Sequence, residues 1–65
     1  MNHTNHLLDA FLDAPNLINA RRLVQHVNRH PAVFSLLDVG QELLVGNASR
    51  MVMAAARDAQ QKALA

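Results

Sequence analysis

Apolar residues return at intervals of three and four in four successive stretches of this chain, and that rhythm directs it to helices rather than strands. Leu7, Leu8, Phe11 and Leu12 form one stripe opposite Asp9 and Asp13, with Thr4 or Asn5 placed to cap the start. Asp13-Ala14-Pro15-Asn16 breaks the pattern, and Asn16 is a good N-cap for a second stretch carrying Leu17, Ala20, Leu23, Val24 and Val27. Pro31 disfavours helical geometry at His30 and ends that stretch.

The third stretch, 32–45, is apolar almost all round. Val33, Leu37 and Leu44 lie on one side, Phe34 and the Leu36–Leu43 row on others, with only Ser35, Asp38, Gln41 and Glu42 as a polar strip. A helix of that kind must be covered on several sides, so it is predicted to be the central helix, a subunit interface, or both. Gly40 lies within it, either as a notch in one bent helix or as a break at which Asp38 and Gln41 cap a new turn. The bent helix is the expectation. Gly46-Asn47 then reads as a C′ glycine followed by an N-cap, a tight joint to a fourth helix. That last helix has an alanine-dominated face, Met51, Val52, Ala55, Ala56, Ala59 and Ala63, expected to pack closely. The predicted fold is an all-α, single-domain bundle of four short helices, about 4–14, 16–30, 32–45 and 48–62.

Composition decides what must supplement this bundle. Half of the 65 residues are apolar, but eleven of those are alanine, which leaves a thin core. Natural domains of this size rely on disulfides, a metal or self-association. With no cysteine in the sequence, disulfides, thiolate metal sites and a cysteine nucleophile are all excluded. Dimerisation is therefore expected to complete the fold, with Val33, Phe34, Leu37 and Leu44 as the interface.

The formal charge of +1 is no polybasic signature. Asn-His-Thr-Asn-His after the first Met lacks the basic flank and apolar run of an export signal, and no stretch is long enough to span a membrane. The expectation is a cytoplasmic chain with no membrane partner.

Two polar constellations stand out. His3 and His6 are three apart and His26 and His30 four apart, so each pair shares a helical face. An antiparallel arrangement of the first two helices would bring the pairs together. No carboxylate stands beside either pair, and solvated imidazoles account for them, so no metal or other cofactor is expected. The second helix also carries Arg21, Arg22, His26 and Arg29 with Asn19, uninterrupted by any acid from Asn16 to Val33. That face suits phosphates or an acidic partner, although a solvated helix surface explains it as well.

Leu43-Leu44-Val45-Gly46-Asn47-Ala48-Ser49 has the rhythm of a helix-turn-helix, with two defects. Glu42 occupies a crossing position that needs a small residue, and Ser49, Arg50, Met53 and Arg57 are poor readers of base edges. Enzyme chemistry has the least support. Ser35 and Ser49 have no histidine at catalytic spacing, two glycines cannot build a phosphate loop, and Asp9 and Asp13 suit a solvated face. The expected function is a non-enzymatic interaction or regulatory module that dimerises and contacts a further protein. The alternative is a small DNA-binding regulator using the basic second helix or a corner at Gly46-Asn47, with nucleic acid the less favoured partner.

Overall fold

A computed structural model of the chain describes residues 2–64. The described residues form α1 (Asn2–Asp13), α2 (Leu17–Arg29), a 3₁₀ segment (Pro31–Leu36) and α3 (Val39–Leu64), with no strand among them. The all-α prediction and its four helical elements hold, but the second half of the chain is divided differently.

α1 and α2 fold as an antiparallel hairpin, and the joint is closed by two asparagines. Asn16 is extended at φ −109°, ψ 170°, and its Oδ1 accepts the Asn19 backbone N–H at 2.9 Å, satisfying one of the donors a helix start leaves free. Asn19 Nδ2 donates to the carbonyls of Ala14 at 2.9 Å and Ala10 at 3.3 Å, so one side chain ties the end of α1 to the start of α2. α1 begins at Asn2, earlier than the expected cap at Thr4 or Asn5. Thr4 is instead one turn inside the helix and buried.

α2 is the hub, packed against α1, α3 and the 3₁₀ segment. Its Ala20 and Leu23 are fully buried, and around them close Leu8 and Phe11 of α1, Leu37 from the last joint, and Val45 and Ala48 of α3. Burying a leucine or phenylalanine contributes about 1.5–3 kcal/mol each, so these few side chains dominate the favourable side of folding. The expectation that the third stretch would be the central helix is corrected: that place belongs to α2.

The predicted 32–45 helix does not exist as one element. His30, at φ −129° and ψ 67°, closes α2 by donating its N–H to the carbonyls of His26 and Val27. Pro31 then opens a six-residue 3₁₀ turn, in which Ser35 Oγ bonds back to the Ala32 carbonyl at 2.8 Å. A 3₁₀ turn rises about 2.0 Å per residue against about 1.5 Å in an α-helix, so six residues reach further between α2 and α3. Leu37 is extended at φ −82°, ψ 145°, and there the chain turns.

α3 starts immediately afterwards with a reciprocal capping box. Gln41 N–H donates to Asp38 Oδ1 at 2.8 Å, and Asp38 N–H donates to Gln41 Oε1 at 3.1 Å. The helix runs without interruption through Gly46-Asn47, which corrects both the predicted joint there and the helix-turn-helix corner built on it. A C′ glycine needs a left-handed φ, and neither glycine has one. Asn47 accepts a hydrogen bond from Arg50 one turn on, as a residue within a helix does.

The packing of α3 also departs from expectation. Ala48 is buried and Ala55 half-buried, but Ala56, Ala59 and Ala63 face solvent. Twenty-six residues make a helix of about 39 Å, twice the length of α1 or α2, and the protein is 42 Å long. The last turns of α3 therefore extend beyond the hairpin that covers its start. No helix among the described residues is long and apolar enough to cross a membrane.

Candidate functional site

The antiparallel hairpin places the start of α1 against the end of α2, and the two histidine pairs meet there. His3, His6 and Leu7 from α1, with Arg22, Gln25, His26, Arg29 and His30 from α2 and its cap, line an open cleft of about 500 Å³. Among the described residues no acidic side chain lines it. The two constellations read separately from the sequence, the histidine quartet and the basic face of α2, are thus one site. Arg22, His26 and Arg29 belong to it. Arg21 does not line it, and Asn19 is turned away to donate to the carbonyls of Ala10 and Ala14.

His26 is the organising residue. Its ring meets that of His3 edge to face at 5.1 Å between centroids, and that of His30 at 5.0 Å with a 49° tilt. Its Nε2 shares a 2.7 Å hydrogen bond with Oγ1 of Thr4. That bond survives either charge state: the hydroxyl donates to a bare Nε2, and accepts once Nε2 is protonated. Burial holds the His26 pKa below its ordinary value of 6.5, and repulsion from His30 and His3 lowers it further. The sequence offers Thr4 only as a cap, although its spacing from Leu8 and Phe11 puts it on the buried stripe of α1.

Among the described residues, no group of three or more His, Asp or Glu side chains is arranged to hold a metal ion. The side chains converging here carry N–H donors and positive charge, which suits an anion rather than a cation.

A second surface lies at the joint between the 3₁₀ segment and α3. Leu37, assigned to the dimer interface from sequence, is only 8% exposed and belongs to the chain's own core. Val33 and Leu44 are half-buried against that core, and of the four predicted interface residues only Phe34, at 43%, faces outward. The other row is the exposed one: Leu36 is 66%, Val39 74% and Leu43 61% exposed. Both rows are visible in the sequence, but which one points inward depends on the break at Leu37-Asp38. Ser49, Arg50, Met53 and Arg57, considered as a recognition surface, lie in the middle of α3 with no turn before them.

No protein-family model matches the chain, and neither curated proteins nor solved structures show a match to it.

Proposed function

We propose that this chain is a non-enzymatic interaction module that works as a homodimer, its contact formed by Leu36, Val39 and Leu43 with the exposed edge of Phe34. The observation that carries the reading is the exposure of three large aliphatic side chains within eight residues at one joint. Neighbouring apolar side chains left in water mark contact surfaces more often than isolated ones do. The occupant is a second copy, because the chain's own core is small and a two-fold contact covers the same row twice.

Gly40 supports the same partner. It sits between Val39 and Leu43 on the exposed side of α3, and a Cβ there would meet only Asp38 Oδ1, at 3.4 Å. Nothing within the chain requires a glycine at that place, whereas a second helix approaching closely would. A net charge of +1 offers little opposition to self-association. The basic cleft lies on other residues and stays open to a further partner.

Sedimentation equilibrium at about 50 µM protein tests the reading, since mass action favours the dimer as concentration rises. Twice the 7.2 kDa chain mass is expected. Leu43→Asp should yield a monomer with its helical circular dichroism retained, because Leu43 is exposed in the single chain. A parent protein of monomer mass at that concentration overturns the proposal.

A further inference from the structure

The cleft between α1 and α2 brings four imidazoles and two guanidiniums together with no carboxylate among its lining residues. The N-terminal end of α1 and the C-terminal end of α2 lie side by side, so their opposed dipoles offset one another and the side chains set the local charge. The nearest acid along α1, Asp9, is one turn beyond His6 and does not line the cleft. The third helix contributes no lining residue.

We propose that this cleft binds a small phosphate-class oxyanion, held by Arg22 and Arg29 and tightened by protonation of the histidines. Guanidinium N–H groups pair with phosphate oxygens in a planar fork, and Arg22 and Arg29, seven apart, stand on one side of α2 two turns from each other. His26 and Gln25 lie between them along the helix, and His3 and His6 face them from α1. Arg22 and Arg29 give the cleft two positive charges, and each imidazole that takes a proton adds another. An anion bound there favours the protonated rings and takes up protons as it binds. A volume of about 500 Å³ suits a small phosphorylated molecule and is within the ordinary range of ligand sites.

Calorimetric titration with inorganic pyrophosphate at constant ionic strength, at about pH 5.5 and about pH 7.5, tests this. Phosphate oxyanions gain charge as pH rises through about 6, so weaker binding at the higher pH must come from the protein. The expected result is affinity at least about tenfold greater at the lower pH, with proton uptake visible as a dependence of the heat on the buffer. Arg22→Gln with Arg29→Gln should weaken binding by at least about tenfold with the helical signal unchanged, since both are exposed, and Arg57→Gln should change nothing. The monomeric Leu43→Asp variant should bind like the parent, which separates this site from the dimer contact. No binding, equal binding at both pH values, or full binding by the double variant each overturns the proposal. Retention of duplex DNA without any binding of pyrophosphate also overturns it, in favour of an extended phosphate backbone.

Discussion

The two halves of α3 belong to one continuous helix and are stabilised in different ways. From Val39 to Val52 the helix lies on the hairpin, with Val45 and Ala48 buried and Leu44, Met51 and Val52 half-buried. From Met53 to Leu64 only Ala55 is even half-covered. Alanine means something different in each half. At Ala48 the small side chain lets α3 approach its neighbours, and any addition collides with them. At Ala54, Ala56, Ala59 and Ala63 nothing is approached, and alanine serves as the residue that loses least on entering a helix. Asp58 and Lys62, four apart with the acid first, have a spacing that suits a solvated helix.

Matched substitutions sharpen this contrast. The largest effect is expected from Val45→Asp, which forces a charge into the shared core and should abolish the cooperative unfolding transition. Ala59→Asp should leave that transition in place. Ala48→Leu overfills a fully buried site and should cost about 1–3 kcal/mol in denaturant unfolding, while Ala59→Leu should stay within about 0.5 kcal/mol. Equal effects in the two halves would show that the end of α3 is packed after all.

Within the packed half, Gly46→Ala probes the joint expected from sequence at Gly46-Asn47. In an unbroken helix the change should stabilise by about 1 kcal/mol, since a Cβ there meets nothing nearer than an Arg50 nitrogen at 3.9 Å. At a corner with a left-handed glycine the same change would destabilise, so the sign of the shift decides between the two geometries.

The smallest effect concerns pH. The His26 pKa is lowered in the folded chain, so the unfolded chain binds more protons as pH falls below 6.5. Stability should be complete above that value and decline as pH drops towards the lower folded pKa. The melting temperature should fall over that interval, and His26→Gln should flatten the dependence. Pyrophosphate, if it fills the cleft, should oppose the decline.

Legibility in the sequence followed the punctuation. Pro15-Asn16 and Pro31 are unambiguous breaks, and the α1–α2 hairpin between them came out with its ends correct to within about two residues. From that hairpin the meeting of the histidine pairs followed directly. The region 32–45 was opaque because an almost wholly apolar stretch has no phase to read. Asp38 and Gln41 carried the true signal, a reciprocal cap, but Gly46-Asn47 after an apolar run resembled a helix end more strongly. Placing the break at Gly46 rather than at Leu37-Asp38 also left undecided which apolar row faced the core, so the interface expected from sequence included the buried Leu37, while Leu36, Val39 and Leu43 are the exposed side chains. Asn19 was misplaced for another reason: three-residue spacing from Arg22 suggested an outward face, whereas its amide answers carbonyls at the end of α1 that no pattern in α2 reveals.

The Asp38–Gln41 box has a consequence for how the uncovered turns of α3 melt. A peptide of a dozen residues in water is hardly helical, because the first turn must fix several residues for a single hydrogen bond. Here that first turn is already formed at Asp38 and held by the hairpin, so Met53 to Leu64 needs only propagation, one residue added to an existing end. Propagation without tertiary contacts has no sharp transition. On warming, ellipticity should therefore drift downward well before the core yields, as the helix shortens from Leu64 inward, and only the remaining signal should disappear in one cooperative step.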